Sequence, residues 1–410
     1  VNAPAPRTVA AAHDGPAPPG KAGALARYVG AATLARSADG GGVVAVVLLV
    51  TATGGPGWVA GLLGACITFP HLFGPFLARS LDVARDGRTV LSLACVAHGA
   101  TLTAAVLLHP HVPTALTALL LIATGLTGPL LTGGISSRLP AIAGPGQVAQ
   151  RRAQGWDVAT YGLGGTIGPS IVAVVSGWST PTVAALVLAA GTVVAAVLVR
   201  LLPHAPPPAA AGVVPRPLAT LKIIATTGAL RRTLYLTMVV AASVAVLPIA
   251  AVAGTDRFGI APSTAGLLTA VYGVGNLAGS VAVMVRPLRG DADRALPVLA
   301  LAVAVALAGV ALASTVWVAA ATYTLAGVLN AFFFATTLAA RSEYAPPAVR
   351  GQTFVWVGAL KITAGSTGTA AAGAVIAHAV HLPAALGAVV ISAAAGAAVL
   401  DHRHQTRSSR

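Results

Sequence analysis

The chain has 410 residues, 9% of them charged and 56% hydrophobic, with a mean hydropathy of +0.84. Soluble domains carry roughly a quarter of their residues as Asp, Glu, Lys and Arg, so an ordinary water-soluble enzyme is excluded, and the apolar content excludes a disordered chain. The 25 basic residues outnumber the ten acidic ones, giving +15, which means nucleic acid in a soluble protein but anionic lipid in a membrane protein.

Residues 1–27 read as a flexible tail, rich in Ala and Pro near its start and without the apolar core of a signal peptide. Apolar segments follow at 28–51, 57–80, 89–108, 112–134, 155–177 and 182–202, each close to the roughly 20 residues that cross a bilayer. They predict a six-helix bundle over 28–202. Next comes a linker over 203–232, holding Pro206, Pro207, Pro208, Pro215 and Pro217 and then a basic amphipathic stretch from 221 to 232. Six more apolar segments, at 233–254, 263–285, 295–313, 316–338, 353–376 and 382–400, predict a second bundle over 233–400, with a tail over 401–410. Cys66 and Cys95 lie in apolar runs and read as small buried hydrophobes, not as a disulfide or a zinc site.

The basic residues set the orientation. With the N-terminus in the cytoplasm, 22 of the 25 Lys and Arg residues fall on inner segments, Arg257 alone falls outside, and Arg36 and Lys361 lie within spans. This is the positive-inside pattern. It places both termini in the cytoplasm and the positive charge against inner-leaflet lipid, so no nucleic-acid partner is required. Trp58, Trp178 and Trp317 fall at outer ends and Trp156 and Trp356 near inner ends, the interfacial positions that indole rings prefer. The heavy use of Ala, Gly, Val and Arg points to a bacterial source with a GC-rich genome, hence to its inner (plasma) membrane.

The halves repeat weakly. At an offset of 200, Trp156 falls on Trp356, Gly165 on Gly365, Gly168 on Gly368 and Tyr161 on Lys361. The fourth and tenth spans end alike, in Ser-Ser-Arg138 and Ala-Ala-Arg341, and the second and eighth both run from a glycine, Gly74 or Gly279, into a loop with Arg and Asp. Parallel six-span repeats place a substrate site near the midplane between the halves.

The loop after the second span runs Gly74-Pro-Phe-Leu-Ala-Arg-Ser-Leu-Asp82-Val-Ala-Arg85-Asp-Gly87-Arg88. It resembles the glycine, aspartate, glycine and basic signature of the major facilitator superfamily, with two extra residues between the aspartate and the second glycine. The resemblance covers nearly the whole chain. It implies an all-α membrane protein with twelve transmembrane helices in two pseudo-symmetric six-helix bundles, and a monomer. Gly74 would let two helices approach closely, Asp82 would sit at a helix N-terminus, that of the eleventh span, and Arg85 and Arg88 would anchor the loop.

In the fifth span, Gly164-Gly165-Thr-Ile-Gly168-Pro169 is similar to the Gly-x-x-x-Gly-Pro core of the motif found in drug/proton antiporters of that superfamily. Val172 and Ala173 stand where the family has a following glycine pair, and the fourth span lacks the basic residue that its exporters often carry. The second departure leaves the proton route open.

Charge near the bilayer centre is costly and marks function. Arg36 and Asp39 share the first span, three residues apart and on one helical face. Lys361 lies in the eleventh span at a similar depth. The expectation is that Asp39 couples protons, Lys361 is its partner across the cavity and Arg36 tunes both; a static Arg36–Asp39 pair is the other reading. Asp157 reads as a helix-start acid near Arg151 and Arg152, with a gate at the inner face as its alternative role. His71 and His98 read as hydrogen-bonded packing residues, and the pairs His109 with His111 and His378 with His381 do not amount to a metal site. Tyr272 with Asn276, and Tyr323 with Asn330, share helical faces and would suit a mostly apolar substrate cavity or helix–helix hydrogen bonds.

No Gly-x-x-x-x-Gly-Lys-Ser/Thr loop and no cluster of nucleophiles, acids or metal ligands appears, so neither an enzyme nor a nucleotide-driven pump is expected. The sequence reads as a secondary transporter that needs no cofactor and draws on the proton gradient. It would export hydrophobic or amphipathic small molecules. Uptake of a small metabolite is the alternative, and a non-transporting sensor or scaffold a remote one.

Overall fold

The computed structural model describes residues 19–204, 214–259, 265–376 and 378–408. These residues are helical, with no strand among them. A backbone in hydrocarbon must satisfy its own hydrogen bonds, and a helix does so within one segment. The first half holds α1 (Pro19–Ala52), α2 (Gly57–Thr68), α3 (Gly74–Val83), α4 (Gly87–Leu108), α5 (Thr114–Pro129), α6 (Leu139–Ala143), α7 (Gln147–Trp178) and α8 (Pro181–Arg200). A 3₁₀ turn, Phe69–Phe73, joins α2 to α3 as one span, and a π-helical turn, Leu130–Gly134, follows Pro129 as part of another. After α9 (Pro217–Thr226), the second half holds α10 (Gly228–Val244), α11 (Leu247–Ala253), α12 (Thr255–Phe258), α13 (Ala265–Val285), α14 (Ala292–Leu312), α15 (Val316–Tyr344), α16 (Arg350–Val375) and α17 (Leu382–Ser408). Among the described residues eleven helical stretches are long and apolar enough to cross a membrane. The remaining span, α16, eleventh in chain order, has 26 residues but carries Lys361 among many Gly and Thr residues.

Several helices outrun their apolar segments. Residues 19–27, expected in a tail, form the start of α1; α7 begins at Gln147, α15 continues to Tyr344 and α17 to Ser408. Hydropathy marks the part of a helix in hydrocarbon and is blind to polar turns that prolong it. Residues 1–18 of the expected tail, and Pro206, Pro207 and Pro208 of the linker, lie outside the described residues. Arg231 and Arg232, placed in the linker from sequence, belong to α10, where Arg232 pairs with Asp293 at 2.6 Å and both arginines pair with Asp401.

The two halves use corresponding glycines for corresponding contacts. A Cβ on Gly168 of α7 would lie 2.2 Å from Ser37 O of α1, and a Cβ on Gly368 of α16 would lie 2.1 Å from Ala242 O of α10. Only glycine permits backbones this close. The offset of 200 residues is therefore a real structural correspondence: a Cβ would meet nothing within 4 Å on Gly165 and only ordinary contacts at 3.9 Å on Gly365, and Tyr161 and Lys361 both reach the same cavity.

The bundles meet toward the face that carries the loops around Asp86, Gly144 and Gly290, where the basic residues gather. There Arg151 Nη2 bonds Glu343 Oε1 at 2.9 Å and Gly290 O at 3.0 Å, while Cβ atoms on Gly133 and Gly155 would strike Phe354 and Met284 of the other bundle. Among the described residues, every hydrogen bond and ion pair between the six-helix bundles lies in this half. Toward the other end of α7, Gly165 and Gly177 have no neighbour within 4 Å of an added Cβ. The molecule is closed at its basic face.

Candidate functional site

A cavity of about 190 Å³ lies between the bundles, lined by Arg36, Asp39 and Thr132 on one side, Arg341 and Lys361 on the other, and Tyr161 and Phe334 between them. Its charged and aromatic groups come from α1, α7, α15 and α16, two helices of each half, as the repeat arrangement requires.

Arg36 is held at both terminal nitrogens. Its Nη1 donates to Asp157 Oδ1 at 2.8 Å, to Asp157 O at 3.1 Å and to Thr160 Oγ1. Its Nη2 donates to Thr132 O at 3.2 Å and Ser136 Oγ at 2.8 Å, and the guanidinium carbon stacks 3.5 Å from the Tyr161 ring centroid. Tyr28 OH donates to Asp157 Oδ1 at 2.6 Å. A buried cation persists where an anion and hydrogen bonds replace its water. This corrects the sequence reading twice: Arg36 pairs with Asp157 and not with Asp39, and Asp157 is fully buried, ten residues into α7, not a helix-start acid at the surface.

Asp39 pairs with His71. His71 Nε2 lies 3.2 Å from Asp39 Oδ1 and 3.3 Å from Oδ2, and its Nδ1 lies 3.0 Å from Ile67 O. The Ile67 carbonyl can only accept, so Nδ1 carries a hydrogen. A further proton at the Nε2–carboxylate contact would make it an imidazolium facing a carboxylate or a neutral imidazole facing a carboxylic acid. Gly128 makes room for this pair, since a Cβ there would lie 2.3 Å from His71 Nε2 and 2.6 Å from Asp39 Oδ1. His98 is fully buried nearby, with Nδ1 3.0 Å from Thr127 Oγ1. His71 was read from sequence as packing. Its proximity to Asp39 depends on how α1 meets the second span, which no spacing reveals.

Lys361 does not pair with Asp39 as expected, although both line the cavity. Its Nζ lies 3.6 Å from the Phe334 ring centroid and 5.3 Å from that of Tyr161, and it forms no ion pair among the described residues. Arg341, which the sequence places at the inner end of the tenth span, is 1% exposed near the end of α15. Its Nη2 donates to Thr337 Oγ1 at 3.2 Å, and its guanidinium lies 5.9 Å from the Phe334 centroid and 5.7 Å from that of Phe354. The available signal was its place directly after Leu338-Ala339-Ala340, with no turn residue between the apolar segment and the arginine.

Tyr272, Asn276, Tyr323 and Asn330 do not line this cavity. Tyr323 OH donates to Leu247 O at 2.9 Å, and Tyr272 O and Asn276 N press on Gly327, where a Cβ would lie 2.1 Å and 2.8 Å from them. Tyr323 thus serves packing within the second bundle, while the Asn276 side chain lies at the seam with α7, its Oδ1 3.4 Å from a Cβ placed on Gly162. In the loop motif, Asp82 Oδ1 accepts from Gly351 N at 2.8 Å and Oδ2 from Gln352 N at 2.9 Å, at the N-terminus of α16. A Cβ on Gly74 would lie 2.2 Å from Pro129, and one on Gly87 would lie 2.7 Å from the Arg138 guanidinium. Arg88 bonds Asp86, and Arg85 is exposed. In the fifth-span motif, Gly164 and Gly168 seat α7 on α1 just before Pro169, with a Cβ on Gly164 falling 2.6 Å from Arg36 Cβ.

Similarity in architecture is extensive. The human organic anion transporter MFSD10 (TETRAN) superposes with a TM-score of 0.69 at 17% identity, over 94% of this chain and 99% of that one. The E. coli fucose:proton symporter FucP gives 0.70 at 15% identity over 91% and 98%. A bacterial homologue of the iron transporter ferroportin, in an outward-facing state, gives 0.66 at 15% identity over 94% and 100%. The chain has the major facilitator fold. Its helices form two bundles in an all-α membrane protein, with eleven candidate spans and α16 among the described residues. No protein-family profile and no curated protein sequence matches it.

Proposed function

We propose that the protein is a secondary transporter that exports a small amphipathic molecule by alternating access, driven by protons exchanged at the Asp39–His71 pair. The observation that carries this reading is the contact of His71 Nε2 with Asp39, 3.2 Å from Oδ1, where the Asp39 side chain keeps 14% exposure at the cavity between the bundles. A group that gains and loses a proton there can bias which face is open, because the two states solvate it differently. The charges around it are His71, His98 and, one turn earlier on α1, Arg36, which Asp157 neutralises. On this reading the basic face is cytoplasmic.

Export is supported by the Gly164, Gly168 and Pro169 motif, whose glycines seat the fifth span on the first beside the cavity. Uptake has its own support, because FucP is named a fucose:proton symporter and XylE a proton:xylose symporter. The names of the structural neighbours cover an organic anion, sugars and iron, so they select no substrate.

The test is retention of labelled aromatic acids, amines and neutral compounds in an efflux-deficient bacterium, for wild type and Asp39→Asn at matched expression, with and without a protonophore. The expected result is lower retention of at least one compound by wild type, abolished both by the protonophore and by the substitution. Protonophore-sensitive accumulation would move the reading to uptake. Wild-type transport that persists unchanged in Asp39→Asn would remove Asp39 from coupling.

A further inference from the structure

The charges that border the cavity do not balance locally. Arg36 is matched by Asp157 and Asp39 by His71, whereas Arg341 and Lys361 form no ion pair among the described residues. Every acid with a described side chain is engaged elsewhere. Asp82 caps α16, Glu343 pairs with Arg151, and Asp293 and Asp401 pair with Arg232. Arg341 is 1% exposed, and its guanidinium donates one hydrogen bond among the described residues, to Thr337 Oγ1.

A cation inside a membrane protein needs an anion, a carbonyl cage or water. Here Lys361 rests on the face of Phe334, 3.6 Å from its centroid, with Arg341 5.9 Å from the same ring. A ring face is a weaker partner than a carboxylate and yields when one arrives. The two cations therefore flank an aromatic wall made by Phe334 and Tyr161, whose rings meet edge-on at 4.9 Å.

Resting on the transport reading of the same cavity, we propose that the substrates are small aromatic monoanions. The acid group is held by Lys361 Nζ and the Arg341 guanidinium, and the ring stacks against Phe334 and Tyr161. The cations belong to the second bundle and the Asp39–His71 pair to the first, so anion and proton have separate seats in one cavity. The space, about 190 Å³, falls below the roughly 300–1,000 Å³ of drug-sized sites, which restricts the ligand to something near a single substituted ring.

The experiment is calorimetric binding to the purified full-length protein in detergent, with benzoate as probe, benzamide as its uncharged isostere and chloride as an inorganic anion. Wild type is expected to bind benzoate and to bind benzamide at least about 30-fold more weakly, the loss that follows when one partner of a buried charge pair is removed. Lys361→Gln should weaken benzoate by a similar factor and leave benzamide unchanged, while Lys361→Arg, which keeps the charge, should retain most of the benzoate affinity. Equal binding of benzoate and benzamide overturns the proposal, as does no benzoate binding or chloride competing as strongly as benzoate. The wild-type comparison stands even if a variant fails to fold. Benzoate binding without proton-linked transport would sink the transport reading and leave the anion seat standing; proton-linked transport of neutral or cationic compounds, with benzoate unbound, would do the reverse.

Discussion

Arg36 and Lys361 are both cations within spanning helices, yet their surroundings assign them opposite roles. Arg36 has an acid, two hydroxyls and two backbone carbonyls, and so is a fixed strut between α1 and α7. Lys361 has two rings and open space, and so is available to a ligand. Asp86, in the loop before α4, shows a third case. Hydrogen bonds from the Arg88 side chain, and then from its backbone N–H and from Arg200, hold the Asp86 carboxyl well below the usual carboxylate range. A depressed acid stabilises the fold above its unfolded value and loses that contribution as pH falls through its folded value. Asp86→Asn should therefore lower the melting temperature of the detergent-solubilised protein by a few degrees at pH 7. The gap to wild type should narrow once the pH drops below about 4. A gap that stayed constant from pH 7 to pH 3 would show that Asp86 acts through something other than its charge.

At the scale of the helix, glycine placement decides which faces pack. Gly168 is pressed on Ser37 O, whereas Gly165, three residues away, has nothing within 4 Å of an added Cβ. Overpacking a close contact costs about 1–3 kcal/mol, so Gly168→Ala should reduce thermal stability measurably while Gly165→Ala leaves it near wild type. Equal melting temperatures for the two variants would contradict the close approach of α7 to α1. The repeat that pairs Gly168 with Gly368 was legible in the sequence because both positions obey one steric rule, and backbone-to-backbone contact tolerates no substitute. The spans were legible for a similar reason: a bilayer imposes length and apolarity on each segment separately. The site was only partly legible. Arg36, Asp39 and Lys361 stood out by their cost in an apolar run, but their partners did not, because Asp157, His71 and Phe334 are set by which helix faces meet. Arg341 was missed because hydropathy ended the tenth span at 338 while its helix runs to Tyr344.

For the whole molecule, the question is what holds the basic face shut. Apart from the Arg151–Glu343 ion pair, the bundles are joined there by side chains of one half on backbone groups of the other, and Asp82 is the most direct of these links, with both carboxylate oxygens on the first amides of α16. Those amides have no partner within the helix, and the positive end of the helix dipole adds to their pull on an anion. The contact exists only while the halves are together at this face, so it stabilises one arrangement of the molecule over the other. Hydrogen bonds to a charged group contribute about 1.5–3 kcal/mol, and Asp82→Asn removes the charge and one of the two accepting oxygens. The ratio of closed to open molecules should then fall by about 10-fold or more, since 1.4 kcal/mol is a factor of ten. Spin labels at Arg85→Cys and Arg289→Cys, exposed positions at this face in opposite halves, report the separation directly once Cys66 and Cys95 are replaced by alanine. The distance distribution should be narrow and short with Asp82 in place and gain a longer component in Asp82→Asn. Asp82→Glu, which restores the charge on a longer arm, should return part of the short component. Identical distributions for the wild-type carboxylate and the Asp82→Asn amide would mean that the Arg151–Glu343 pair and the packing of Gly133 on Phe354 suffice to close this face.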